Sequence, residues 1–111
     1  MGGGNDKAAG TAQTTINANL AATVSAIGNG TKVWAIMPTP WDTQDNTPTA
    51  TFVRTNYSGT AVGVIDFFNP LKWTFGGYLL ATNYASADGI HPNLDGQNVL
   101  GLIYADKLQG Q

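Results

Sequence analysis

The sequence predicts an α/β protein with a parallel sheet flanked by helices, and two observations carry this prediction. Apolar residues recur at helical spacing in three segments, at about 15–27, 47–57 and 94–108. Between them lie two short runs, 32–37 and 61–66, which are apolar without alternation, as in strands covered on both faces. Helices that alternate with such strands are typical of right-handed crossovers and an open parallel sheet.

Length and composition predict a single domain that spans residues 1–111. The chain is 42% hydrophobic, which is enough to bury a modest core. Only 11% of its residues are charged and the formal net charge is -2, far below the imbalance that keeps a chain disordered.

Composition also excludes several classes of function. The five Lys and Arg residues are scattered singly, so we expect no nucleic-acid partner. Cysteine is absent and His91 is the single histidine, so we expect no disulfide, metal or cofactor. No apolar run approaches the ~18 residues of a membrane span. The abundant uncharged polar residues favour an extracellular, periplasmic or virion-associated protein.

The first helix is predicted from one apolar face. Its members recur every three or four residues and are Ile16, Leu20, Val24 and Ile27. Thr14 or Thr15 is expected to cap the N-terminus, because a threonine hydroxyl can accept a free backbone N–H of the first turn. The glycine-rich stretch 28–30 is expected to end the helix, since glycine supplies left-handed conformations.

Prolines and an apolar spacing define the first strand and the second helix. The strand at 32–37 is expected to end before Pro38, because a proline cannot donate to a ladder. Thr47 followed by Pro48 is a good start for a helix that reaches about Tyr57. The apolar side of this helix carries Phe52, Val53 and Tyr57.

The last third of the chain is predicted to hold a loop and a helix. Residues 69–90 are aromatic and glycine-rich without a clear period, and a loop of this length inside a domain usually carries function. The final helix, at about 94–108, is expected to end near Lys107. It is expected to present Val99, Leu100, Ile103 and Leu108 to the core.

The segment Asp88-Gly89-Ile90-His91-Pro92 carries the chemistry. Gly89 can bend the loop sharply, and a carboxylate three residues before a histidine can then accept its Nδ1–H. That bond fixes the tautomer and leaves Nε2 free as a general base, which is two-thirds of a hydrolytic triad. Alternatively, Asp88 only caps the following helix.

Together with Asn93 and Gly96, this segment resembles the last block of the SGNH (GDSL-type) serine hydrolases. A second segment, Gly3-Gly4-Asn5-Asp6, is similar to the family's Gly-x-Asn-Asp block. The resemblance implies a partial flavodoxin-like fold, a three-layer parallel sheet flanked by helices whose first strands are missing.

The resemblance also implies roles for four residues. His91 would be the general base, and Asp88 would be its orienting partner. Asn5 would donate its side-chain amide to an oxyanion hole, with Gly3 allowing the close approach. Such a donor contributes about 2.7–4 kcal/mol to transition-state stabilisation in acyl transfer.

The family's nucleophile block, Gly-Asp-Ser, has no counterpart here. The three serines, Ser25, Ser58 and Ser86, lack the strand-to-helix turn that would expose a nucleophile. We therefore expect the C-terminal portion of a longer hydrolase, inactive alone and complemented by a missing N-terminal segment or another chain.

The predicted function is ester hydrolysis of the SGNH type, on a small-molecule or polysaccharide ester. Trp41, Trp73 and Tyr78 could stack on sugar rings, which would favour carbohydrate O-acetyl esters. A non-catalytic binding or structural module, from a phage tail or a cell surface, is the alternative. A cation site at Asp42, Asp45 and Asn46 is a third possibility, although its spacing does not match a calcium loop and a solvated turn is expected.

Overall fold

The computed structural model describes residues 4–27, 34–36, 45–58, 63–68, 74–75, 79–89 and 91–109. The α-helices within these residues are Gly4–Ala8 (α1), Gln13–Ile27 (α2), Thr47–Tyr57 (α3) and Leu94–Gln109 (α4). The strands are Trp34–Ile36 (β1), Gly63–Ile65 (β2), Thr74–Phe75 (β3) and Leu79–Leu80 (β4). A 3-10 turn, Thr82–Tyr84, lies between β4 and α4.

The predicted three-layer parallel sheet is wrong, because the described part of the chain is mainly helical. β1 and β2 pair in parallel over three residues, with Trp34 opposite Gly63. β3 and β4 form a separate antiparallel pair of two residues each. Two-stranded pairs of this length are marginal alone and depend on the helices that pack against them.

The prediction of the first helix is confirmed, but its cap is wrong. Thr15 and Ile16 both donate their backbone N–H to Ala12 O, so the helix begins before either predicted threonine cap. Ile16 is completely buried, whereas Ile27 at the end of the same face is 47% exposed. The apolar face of α2 therefore contacts the core through Ile16 and the half-buried Leu20 and becomes exposed at its end. Stretch 28–30 lies outside the described residues.

α3 has the predicted bounds and is the best-buried helix among those described. Asn46 is its N-cap residue, and Pro48 lies in its first turn. Ser58 follows its end and donates its backbone N–H to Arg54 O. The buried residues of the helix are Thr49, Ala50 and Val53.

β2 and the residues after it divide their side chains between two apolar clusters. Val64 and Phe68 pack with Val53 and Ala50 of α3. The second cluster holds buried Ile65, Phe67 and Leu80, with Val99, Leu100 and Ile103 of α4 packed against it. Successive side chains of the strand point to opposite faces, so one face packs with α3 in the first cluster and the other packs with α4 in the second.

An ion pair also ties α3 to the end of β2. The Arg54 guanidinium donates to both carboxylate oxygens of Asp66 at 3.1–3.2 Å and to Phe68 O at 2.6 Å. Both side chains are more than a third exposed, so the pair contributes less than about 1 kcal/mol in water. The ion pair holds the residues that follow β2 against α3.

The last helix is confirmed, although its packing is only partly as predicted. Leu108 is 43% exposed and does not face the core, and Leu102 is 70% exposed. Gly96 is the residue that α4 buries. The prediction that 69–90 forms one long loop is also wrong, since β3, β4 and the 3-10 turn lie within it. Among the described residues, each helix is too short or too polar to cross a bilayer.

Candidate functional site

The segment before α4 forms a small hairpin, residues 84–93. Ser86 donates its backbone N–H to His91 O at 2.8 Å, and Asn93 donates its own to Tyr84 O at 2.8 Å. These bonds bracket an antiparallel bridge between Ala85 and Pro92. Pro92 is therefore in a non-hydrogen-bonded pair, where the N–H that it lacks would point away from Ala85. The proline stiffens the hairpin without removing a ladder bond.

A tight turn forms the tip of the hairpin. Gly89 donates its N–H to Ser86 O at 2.9 Å and has a φ of 70°. Residues with a side chain rarely adopt this left-handed conformation, so glycine fits the position. The turn brings Asp88 and His91 together, as the sequence predicts.

Asp88 holds His91 through both of its carboxylate oxygens. Oδ2 lies 2.6 Å from the ring Nδ1, and Oδ1 accepts the backbone N–H of His91 at 3.0 Å. An acceptor at Nδ1 keeps the proton of a neutral imidazole on that nitrogen, so the lone pair lies on Nε2. The His91 side chain is 75% exposed, which leaves the ring accessible to a reacting group. The pair has the geometry of a general base and its orienting acid.

Asn93 joins the hairpin to α4, and it is a residue whose role the sequence interpretation missed. Its Oδ1 accepts the Gly96 N–H at 2.9 Å, which caps the helix. Its Nδ2 donates to Asn83 O at 2.8 Å and to Ala85 O at 3.2 Å. The available signal was an asparagine immediately before an apolar helix, the pattern of an N-cap.

Gly96 allows the first turn of α4 to lie directly on the hairpin. A Cβ at this position would collide with the Tyr84 carbonyl oxygen and lie 2.9 Å from Pro92 Cβ. The motif that resembles the hydrolase block thus has a geometric role for its acid, its two glycines and its asparagine.

The predicted oxyanion residues are only partly described. Asn5 lies in α1, and Gly3 lies outside the described residues. α1 is tied to the next two helices through one amide, since Gln13 accepts from Lys7 Nζ at 3.3 Å and donates to Thr49 Oγ1 at 2.9 Å. The oxyanion roles of Asn5 and Gly3 stay predictions.

The three serines lie in separate elements. Ser25 is exposed on α2, Ser58 follows the end of α3, and Ser86 is part of the hairpin ladder. None of them lies at a strand-to-helix turn. The aromatic residues proposed for sugar stacking lie outside the described residues and are Trp41, Trp73 and Tyr78.

Within the described residues no group of three acidic or histidine side chains could hold a metal ion. Asp42 of the suggested cation site lies outside them. Asp45 instead accepts the Thr47 N–H at 2.9 Å at the start of α3. Hydrogen bonds from the Thr47 hydroxyl and N–H lower the pKa of this carboxyl, and Lys7 adds a smaller effect. Asn46 is 1% exposed, and its Oδ1 has no hydrogen-bond partner among the described residues.

A groove of about 640 Å³ between β2 and α4 was not predicted. Apolar Val64, Leu102 and Ile103 line it together with charged Asp66 and Lys107. Neither Asp88 nor His91 does, so the acid–imidazole pair lies apart from this groove.

Comparisons with protein-family models, with curated proteins and with solved structures find no match.

Proposed function

We propose that this chain supplies the general base and the orienting acid of an SGNH-type ester hydrolase. The observation that carries the proposal is the double engagement of His91 by Asp88, at ring Nδ1 and at the backbone N–H. A bond to the ring alone would fix the side chain at one atom only. Two bonds from one carboxylate fix the direction of Nε2 as well as its lone pair.

The reaction has two steps, acylation and deacylation, and in each of them Nε2 of His91 takes up one proton and gives it away. Nε2 first takes the proton of a serine hydroxyl as its Oγ attacks the ester carbonyl, and the resulting imidazolium returns it to the leaving alcohol. Water then attacks the acyl-serine, and Nε2 accepts and returns one further proton as the carboxylic acid leaves. The serine belongs to polypeptide outside these 111 residues. Asn5 is the proposed donor to the oxyanion.

The test compares this chain with a protein that extends it by the polypeptide encoded upstream. We expect the extended protein to hydrolyse p-nitrophenyl acetate and the 111-residue chain to lack turnover. His91→Ala should lower kcat/KM of the extended protein at least about 10³-fold, as loss of a triad member does. Asn98→Ala, an exposed change on α4, is the matched control and should leave activity unchanged.

Two results would contradict the proposal. One is an extended protein that folds, retains the Asp88–His91 bond and hydrolyses neither p-nitrophenyl acetate nor an acetylated polysaccharide. The other is equal activity of the parent and of His91→Ala. Activity on acetylated polysaccharide that exceeds activity on the small ester would select the carbohydrate O-acetyl substrate class.

A non-catalytic binding or structural module is the second candidate, and one observation favours it. The His91 backbone N–H donates to Asp88 Oδ1, so this carboxylate also stabilises the turn itself. In such a module Asp88→Ala would lower stability, and polysaccharide binding would persist in His91→Ala.

A further inference from the structure

We propose that Asn93 is a positioning residue for the Asp88–His91 pair, beyond its role as a helix cap. Any effect of Asn93 on catalysis rests on the proposed function. Its effect on the geometry of the Asp88–His91 pair does not. Asn93 touches neither of the two side chains in the contacts described above. It acts through the backbone of the hairpin that carries them.

Every polar group of Asn93 is engaged, and the bonds go to two different elements. Its Oδ1 and backbone carbonyl accept the N–H groups of Gly96 and Gln97 at 2.9 Å each, which start α4. Its Nδ2 and backbone N–H donate to carbonyls of the facing segment. These carbonyls belong to Asn83, Tyr84 and Ala85.

The Nδ2 bonds matter because of where the Ala85 carbonyl points. In the non-hydrogen-bonded pair with Pro92, that carbonyl points away from Pro92 and takes no part in the backbone ladder. Asn93 Nδ2 supplies the donor instead. The next residue, Ser86, donates its backbone N–H to His91 O, and this bond closes the loop at the tip of the hairpin. The amide of Asn93 therefore fixes the base of the loop whose tip holds Asp88 against the imidazole.

Substitution can separate the two roles of this side chain. Asn93→Asp keeps an oxygen that caps α4 but replaces the Nδ2 donor by a second acceptor, which faces the carbonyls of Asn83 and Ala85. Asn93→Ser also caps the helix, adds no charge and is too short to bridge both carbonyls. Asn98→Asp introduces the same charge on the exposed side of α4 and is the matched control.

The readout is the tautomer of the neutral His91 ring, measured by ¹⁵N NMR on the 111-residue chain in alkaline buffer. His91 is the single histidine, so its ring signals need no separate assignment. In the parent we expect mainly the Nδ1–H form. In Asn93→Asp and Asn93→Ser we expect the ratio of Nδ1–H to Nε2–H to fall roughly tenfold, as for the loss of one hydrogen bond. Amide exchange at Gly96 reports whether the cap is retained.

The proposal is overturned if both Asn93 variants keep the parent tautomer ratio, or if Asn98→Asp changes the ratio as much as they do. Loss of amide protection at Gly96 together with the ratio change in both variants also contradicts it, since the effect would then follow from the helix cap. Failure of the extended protein to hydrolyse esters would contradict the proposed function and leave the tautomer result standing.

Discussion

α3 and α4 are both predicted from the sequence, yet they are held in opposite ways. α3 buries Thr49, Ala50 and Val53, and its N-cap residue Asn46 makes no side-chain capping bond. α4 is longer and buries Gly96 alone, while its N-cap residue Asn93 bonds on every polar group. Fully buried side chains therefore hold α3, whereas half-buried packing and hydrogen bonds at its N-terminal end hold α4.

The difference shows why similar apolar patterns lead to different surroundings. The partners of α3 lie across β2, in the cluster that contains Val64 and Phe68. α4 contacts the other cluster with half-buried residues and turns Leu94 and Leu102 towards solvent. A periodic pattern is enough to form a helix, whereas the depth of burial depends on neighbours that the pattern does not specify.

The largest expected effect on stability is a difference between alanine substitutions at two glycines of α4. Gly96→Ala should lower the free energy of unfolding by about 3 kcal/mol, because its Cβ would collide with the Tyr84 carbonyl, which is backbone and cannot rotate away. Gly101→Ala has open space at the same atom and should raise the free energy by up to about 1 kcal/mol through helix propensity. Urea denaturation measures both.

The opposite signs are the essential result. Equal and small effects at both positions would show that the hairpin and α4 do not touch closely at Gly96. Such a result would contradict the conclusion that α4 is held at its N-terminal end and exposed in its middle.

A smaller effect compares apolar truncation in the two helices. Val53→Ala should cost about 2 kcal/mol, because the side chain is 3% exposed and packs in the first cluster. Leu102→Ala removes more atoms but should change stability by less than about 0.5 kcal/mol, since this side chain is 70% exposed. A larger loss for Leu102→Ala in thermal unfolding would mean that the exposed face of α4 also packs against the protein.

The smallest effect concerns the start of α3 and depends on pH. The pKa of Asp45 is lowered by hydrogen bonds from Thr47, so its contribution to stability is present above the unfolded pKa and lost as pH falls through the lower folded pKa. The difference in unfolding free energy between the parent and Asp45→Asn should be constant from pH 7 to about pH 5. It should shrink below about pH 4.

Thr47→Ala provides the control for this titration, because it removes the hydroxyl that has the largest effect on the Asp45 pKa. In that background the effect of Asp45→Asn should be smaller at neutral pH. A difference between parent and Asp45→Asn that grows on acidification would have the wrong sign for a carboxyl whose pKa is lowered.

The three long helices were the predictable part of the fold, whereas the short helix α1 and the sheet were not. Helical spacing fixed α2, α3 and α4 to within two residues at each end. The apolar runs at 32–37 and 61–66 each contain a described strand, β1 and β2, but the three-layer parallel sheet predicted from them was wrong. An apolar run shows that a segment is buried, whereas strand length and the number of partners depend on residues elsewhere in the chain.

The acid–imidazole pair was predictable because its partners are three residues apart and share one turn. Local geometry limits a loop with glycine at position 89 to few conformations, so spacing alone brings Asp88 to His91. The bonds from Asn93 to Asn83 and Ala85 join residues eight and ten apart. They depend on the 3-10 turn, which no periodic signal in the sequence indicates.

The pairing of β1 with β2 has a consequence for the order of folding. Trp34 meets Gly63 across the whole of α3, whereas Ala85 meets Pro92 across one short turn. Closing the longer segment costs more chain entropy, and such contacts slow the search for the native state. We expect pulse-labelled amides at Ser86 and Asn93 to become protected before those of β1 and β2. The hairpin would then be assembled while the two strands are still apart.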